Sequence, residues 1–197
     1  MGEHTVIGEG DEQLALDYVQ SAEAATAELP DIPAETATRA IDSVAVIGAG
    51  TMGGGIAMCF ANAGIPVTLV ETSAEGLQRG LDIIRNNYAR SVSRGRYSQE
   101  QVDGYLAAVS GTLDYAEIAN VDLVVEAVFE NMAVKKQVFA TLDAHCKPGC
   151  ILATNTSYLD INGLAAATQR PGDVIGAHFF SPANVMKVLE VVRGEST

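Results

Sequence analysis

The chain has 197 residues, enough for one domain with a sizeable core and an appendage. Its 48% hydrophobic and 19% charged residues match a soluble globular protein, and no apolar run reaches the roughly 20 residues that span a bilayer. A net charge of −13 argues against a nucleic-acid partner.

Residues 1–40 hold nine of the 25 acids and one base, Arg39. A weakly helical, Ala-rich stretch from Leu14 to Leu29 is followed by Pro30-Asp31-Ile32-Pro33-Ala34-Glu35-Thr36. This reads as an acidic linker or boundary segment over residues 1–42. No basic stretch followed by an apolar core opens the chain, so the cytoplasm is the expected compartment. Cys59, Cys146 and Cys150 are an odd number in a chain of this size and are read as reduced thiols. Cys146 and Cys150 have no second Cys/His pair at zinc spacing, and His145 reads as a surface-helix histidine. No metal site is expected.

From Ser43 onward strand and helix signals alternate. Ser43–Ile47 is a short apolar run ending in glycines, as a buried parallel strand does. Thr51–Ala63 has helical spacing, and Pro66–Val70 is a second buried strand closed by Glu71. Helical stretches cover about 75–93 and 99–108. Val121–Glu126 reads as a strand, Met132–His145 as a helix, Gly149–Thr154 as a strand and Asp160–Ala167 as a short helix. Val174–Phe179 and Lys187–Val192 are the last strand candidates. The expected fold over 43–197 is a Rossmann-type α/β domain: a doubly wound, mostly parallel sheet with helices on both faces.

Gly48-Ala49-Gly50-Thr51-Met52-Gly53 reads as GxGxxG. Alone that is weak. Here it follows a strand and opens a helix, and Glu71 ends the next strand 23 positions after Gly48. That context makes it a dinucleotide fingerprint. Gly48 allows the tight turn, Gly50 a close approach to the pyrophosphate, and Gly53 the packing of helix on sheet. The helix N-terminus, at Thr51 and Met52, offers free N–H groups and a partial positive charge. Glu71 accepts from both ribose hydroxyls and repels a 2′-phosphate, which favours NAD over NADP.

Three downstream segments lie at the carboxyl ends of strands, where open α/β sheets bind ligands. They are Val124-Val125-Glu126-Ala127-Val128-Phe129-Glu130-Asn131 with Lys135 and Lys136, Ala153-Thr154-Asn155-Thr156-Ser157, and the run from His178 to Val191 (HFFSPANVMKVLEV). With GAGTMGGGIA at 48–57, they resemble the NAD-binding domain of the 3-hydroxyacyl-CoA dehydrogenases of fatty acid β-oxidation. The resemblance covers about 43–197. HFFSPA is similar to the dehydrogenase part of the multifunctional enzymes, where the single-function enzymes carry Asn in place of Ser181. The N-terminal stretch is similar to the segment that joins hydratase and dehydrogenase parts.

The resemblance implies NAD-dependent oxidation of 3-hydroxyacyl-CoA to 3-oxoacyl-CoA. It makes His178 the general base, Glu190 its orienting carboxylate, and Ser157 a ligand of the substrate oxygen that also approaches the nicotinamide. A histidine titrates near working pH, and a carboxylate partner fixes its tautomer. Glu130 and Lys135 are implied at the nicotinamide ribose, with a solvated helix start as the alternative, and Asn155 supports the same loop. The alternative for Ser157 is a helix N-cap. Ser181 stands at a further nicotinamide contact. A helical projection after the second strand is implied to carry Asn87 and Arg94 to CoA, against a plain solvated face. The family also has a helical C-terminal domain, which supplies a catalytic asparagine, much of the acyl cleft and the dimer contact. It is the implied partner and is not encoded in these residues. A bacterial-type soluble enzyme is favoured, with mitochondria or peroxisomes left open. Two alternatives stand beside this reading: another NAD-dependent dehydrogenase, or an isolated NAD-binding module without turnover.

Overall fold

A computed structural model describes residues 9–26, 29, 31–33 and 35–197. The chain divides into two units, 1–39 and 40–197. In the first, helix α1 runs Glu9–Ala25, starting before the expected Leu14 and ending before Leu29. Leu14, Leu16, Tyr18 and Val19 on it are all exposed. Of the expected proline-rich run, Pro30 and Ala34 lie outside the described residues.

The second unit is built on seven strands: β1 (Val44–Ile47), β2 (Val67–Val70), β3 (Val109–Thr112), β4 (Leu123–Glu126), β5 (Ile151–Thr154), β6 (Val174–Phe179) and β7 (Leu189–Arg193). Their order is β3-β2-β1-β4-β5-β6-β7. The first six are parallel, and β7 returns antiparallel to β6. The order reverses between β1 and β4, which opens the crevice where doubly wound sheets take ligands.

Alternation along β1 explains the layers. Val44 and Val46 join a core with helices α2 (Thr51–Asn62), α3 (Ala74–Ser93) and α4 (Gln99–Ala107). Ala45 and Ile47 join a second core with α5 (Met132–His145) and α6 (Ile161–Ala165). Successive strand side chains point to opposite faces, so each strand feeds both cores. Fully buried residues such as Ile56, Leu69, Phe139 and Leu152 each contribute on the order of 1.5–3 kcal/mol. No helix among the described residues is long and apolar enough to cross a membrane.

The sequence reading misses three elements, strand β3 and the 3-10 turns at Tyr115–Ile118 and Pro171–Asp173. β3 is an edge strand whose Ser110 and Gly111 carry little strand signal. Leu77 of α3 packs closely on Gly111: a Cβ there would come within 2.8 Å of Leu77 Cδ1, so that side chain would have to shift. The helices begin where polar caps stand. Ser73 accepts from Gly76 N–H, Ser98 and Gln101 form a capping box, and Asn131 accepts from Ala133 and Val134.

Candidate functional site

The glycine loop joins β1 to α2. Gly48 has φ of +97°, a region that costs a side chain, and a Cβ there would lie 2.9 Å from Ala127 O on β4's exit. Gly53 packs against the sheet as expected, its Cβ position lying 3.4 Å from Val46 Cγ1 of β1, but a closer contact makes it necessary. Its missing Cβ would stand 1.8 Å from Gly48 O, so the helix packs on the turn itself. A Cβ on Gly50 would meet nothing within 4 Å, so this residue faces open space. Gly50 is the N-cap of α2 and offers no side-chain oxygen, which leaves the first-turn N–H groups of Thr51, Met52 and Gly53 uncapped. Met52 itself is half-buried against the core.

A cleft of about 370 Å³ opens beside this loop, lined among others by Gly48, Gly50, Glu71, Tyr115, Val128 and Phe129. Apolar walls, a glycine-walled floor, an uncapped helix start and one carboxylate fit the adenosine and pyrophosphate of a dinucleotide. Glu71 Oε2 accepts from Ala49 N–H at 3.1 Å, and Oε1 accepts from Thr72 N–H at 2.7 Å. Partial burial pushes its carboxyl up, but the Thr72 and Ala49 N–H donors, the Thr72 hydroxyl and the Arg79 guanidinium outweigh this and hold it below the usual glutamate range. It is thus an ionised acceptor at neutral pH. Phe129, 80% exposed at the rim, and Tyr115 were not singled out by sequence.

Further along the strand ends stands the histidine. His178 and Glu190 are paired residues across β6 and β7. Imidazole Nδ1 donates to Glu190 Oε2 at 2.7 Å, which leaves Nε2 directed at Ser157 Oγ, 3.3 Å away. Phe180 packs on the imidazole, with ring centroids 4.7 Å apart. Ser157 is not a helix cap. Asp160 fills that place, accepting from Asn162 and Gly163. Asn155 ties three strand ends together: its N–H donates to Glu126 O, and its Oδ1 accepts from Phe179 N–H.

Glu130 and Lys135 do not form a solvated helix start, because Lys135 is 1% exposed. Its ammonium lies between both oxygens of Glu126, at 2.8 and 2.9 Å, and Glu130 Oε2 at 3.2 Å. Lys135 therefore stands behind Glu130, and Glu130, with 30% of its side chain exposed, is the member of the pair open to a ligand. Glu130 accepts from the Thr156 hydroxyl and from Ser157 N–H. Burial raises its carboxyl. The Thr156 hydroxyl, the Ser157 N–H and the Lys135 ammonium more than offset that, and it lies below its ordinary value. The sequence reading passed over Glu126, Thr154 and Thr156. A carboxylate closing the otherwise apolar run VDLVVE was the available signal.

A second cavity of about 420 Å³ lies between α3 and the segment after β6. Asn87, Arg90, Arg94 and Arg96 line it with Thr51 and Asn184. The structure brings Asn87 and Arg94 together and adds two arginines. Arg90, Arg94 and Arg96 have no carboxylate partner among the described residues, whereas Arg85 is held by Asp82 at 2.7 Å. Ser181 begins the exposed turn after β6, and Cys59 Sγ seats that turn on α2 by donating to Ala183 O at 3.3 Å.

The family model described as "3-hydroxyacyl-CoA dehydrogenase, NAD binding domain" matches residues 43–197. The chain is 48% identical over 157 residues to the peroxisomal bifunctional enzyme of Cavia porcellus, covering 79% of this chain and 21% of the relative. It is 40% identical over 183 residues to a peroxisomal fatty acid beta-oxidation multifunctional protein of Arabidopsis thaliana, covering 92% of this chain and 25% of the relative. Among solved structures, 3-hydroxybutyryl-CoA dehydrogenase from Escherichia coli superposes with a TM-score of 0.79 at 43% identity, over 81% of this chain and 34% of that one. The dehydrogenase part of multifunctional enzyme 1 from C. elegans gives a TM-score of 0.77 at 38% identity, over 86% and 40%. The chain thus spans about a quarter or less of the curated relatives it matches.

Proposed function

Because the chain belongs to the 3-hydroxyacyl-CoA dehydrogenase family through its NAD-binding domain, we propose that it is the cofactor-binding part of an enzyme that oxidises 3-hydroxyacyl-CoA to 3-oxoacyl-CoA with NAD in fatty acid β-oxidation. The observation that carries this reading is the Ser157–His178–Glu190 line at the carboxyl edge of the sheet.

Residue chemistry follows from that line. Glu190 holds the proton of the neutral imidazole on Nδ1, so Nε2 carries the lone pair. Nε2 is then the base for the C3 hydroxyl proton, and Ser157 Oγ hydrogen-bonds the same oxygen. Proton removal leaves an imidazolium that the Glu190 carboxylate stabilises. Gly48, Gly50, Thr51, Met52 and Gly53 would hold the NAD pyrophosphate, Glu71 the adenosine ribose, and Glu130 and Ser181 the nicotinamide end. Bound nicotinamide supplies the hydride acceptor. Asn87 and Arg94 are assigned to the CoA phosphates, which suit a guanidinium fork.

A second reading, an NAD-binding module without turnover of its own, is favoured by the openness of one wall. Every residue of β7 is exposed, and the Glu190 side chain is 56% exposed. Orientation in a two-walled cleft supplies much of a catalytic rate, and a helical C-terminal domain is the partner proposed for the other wall. For the compartment we propose the cytoplasm, with the peroxisome as the alternative that the relatives' names carry.

The test is calorimetric titration with NAD beside a spectrophotometric assay with NAD and 3-hydroxybutyryl-CoA. Binding with turnover supports the first reading for this chain alone. Binding without turnover supports the module. Absence of NAD binding overturns both.

A further inference from the structure

We propose that Glu126 is a positioning residue, which sets Ser157 opposite His178 by clamping Lys135 against Glu130. This rests on the catalytic reading of Ser157 and His178 given above. The starting observation is a buried carboxylate that the proposed chemistry leaves unused. Glu126 is 0% exposed at the end of β4. It accepts from Val128 N–H at 2.7 Å, from the Thr154 hydroxyl at 2.7 Å and twice from the Lys135 ammonium.

The placement of Lys135 is unfavourable without it. A cation in the first turn of α5 opposes the positive end of the helix dipole, and a buried ammonium is costly unless paired. Two carboxylates remove both penalties and join three elements in one network. Glu126 fixes the ammonium from the strand side. The ammonium holds one oxygen of Glu130, and the other oxygen of Glu130 accepts from Thr156 and Ser157. Thr154, bonded to Glu126, lies three residues before Ser157, so the same carboxylate anchors the turn at both ends. The Ser157 hydroxyl then meets Nε2 of His178. Glu126 reaches the reacting groups only through these neighbours.

The experiment uses the isotopically labelled chain at pH 7 with Glu126→Gln, Lys135→Met and Thr154→Val. Thr154→Val removes the hydroxyl's bond to Glu126 and its long contact from Thr156 N–H at 3.4 Å and strands no charge, so it reports even where the charge variants fold poorly. Exchange of the Ser157 amide is followed against that of Leu69, in β2 on the far side of β1, and the ¹⁵N resonance of His178 Nε2 is recorded. The expected result is at least tenfold faster exchange at Ser157 relative to Leu69, with the Nε2 resonance moving toward that of an imidazole without a hydroxyl partner. A common acceleration of both amides with an unmoved Nε2 resonance overturns the proposal and leaves the pair a structural brace. NAD titration of the parent chain tests the underlying reading separately: absence of NAD binding alongside a positive exchange result overturns that reading and leaves the clamp standing.

Discussion

His178 and Glu190 are partners in the β6–β7 ladder, and their side chains meet at 2.7 Å because directly opposed residues of an antiparallel pair share a face. The twelve-residue separation is therefore the length of a hairpin that brings one carboxylate to one imidazole. His178→Ala is expected to abolish dehydrogenase activity while NAD affinity stays within a few-fold, since the ring lies apart from the glycine loop. Glu190→Gln is expected to lower kcat by about 10²–10⁴, the usual worth of a positioned base, with KM for NAD little changed. Steady-state kinetics and calorimetry check both, and equal losses of activity and affinity in His178→Ala would remove it from the role of base.

Glu71 is held ionised by the donors around it. Its replacement by Ala is expected to weaken NAD by about 10- to 100-fold, as loss of a charge-assisted hydrogen bond costs about 1.5–3 kcal/mol. NADP is expected to gain relative to NAD, because the repulsion of a 2′-phosphate is gone. NAD affinity of the parent should be flat through pH 5 and fall only below the ordinary glutamate value of 4.5, since protonation then removes the acceptor. Calorimetry across pH decides this, and unchanged affinity in the variant would mean that the ribose is held elsewhere.

The glycine loop separates folding from binding at two positions. Gly53→Ala is expected to cost 3 kcal/mol or more, above the usual roughly 1–3 kcal/mol of overpacking, because its Cβ meets a backbone carbonyl that cannot turn away. Gly50→Ala is expected to melt with the parent, having open space around its Cβ, and to lose NAD affinity as the methyl enters the path of the pyrophosphate. Thermal melts and NAD titration on the two variants check the pair. A parent-like melt for Gly53→Ala would contradict the packing described.

Which parts of this site were legible in sequence has a physical explanation. The glycine loop and Glu71 are read easily because strand ends and turns impose residue types at fixed offsets, whereas the His178–Glu190 pair is read only through the family resemblance, since the ladder that opposes the two residues is not local. Strand β3 was missed because an edge strand with Ser110 and Gly111 is defined by its neighbour β2 and by Leu77 above it, and neither is local. The burial of Lys135, read beside Glu130 at the nicotinamide ribose with a solvated helix start as the alternative, was hidden for the same reason. A lysine four residues past the N-cap Asn131 reads as exposed, and only the sheet brings Glu126 beneath it. Arg90 and Arg96 line the cavity with Asn87 and Arg94 because the turn after β6 packs beside α3, which no local pattern shows.

Acid stability is expected to hinge on Asp122, which joins the start of β4 to the start of β1. Its Oδ2 accepts from Asp42 N–H, Ser43 N–H and the Ser43 hydroxyl, and its Oδ1 from Lys147 Nζ at 2.7 Å. The Lys147 ammonium first, then the Asp42 N–H, pull its carboxyl down from the usual 3.8 to about 2, with the Ser43 donors adding to them against a small opposing effect of burial. A group whose pKa is depressed by folding stabilises the fold fully above its unfolded value and loses that contribution as pH falls through the folded one. The melting temperature of Asp122→Asn is therefore expected to lie below the parent's at neutral pH. The gap should begin to close near pH 3.8 and vanish toward pH 2. The asparagine oxygen still accepts from the Asp42 and Ser43 amides, so the variant removes the charge and with it the acceptor for Lys147. Melts by circular dichroism at several pH values check this, and a gap that does not change with pH would place the stabilisation in the hydrogen-bond geometry, with no part for ionisation.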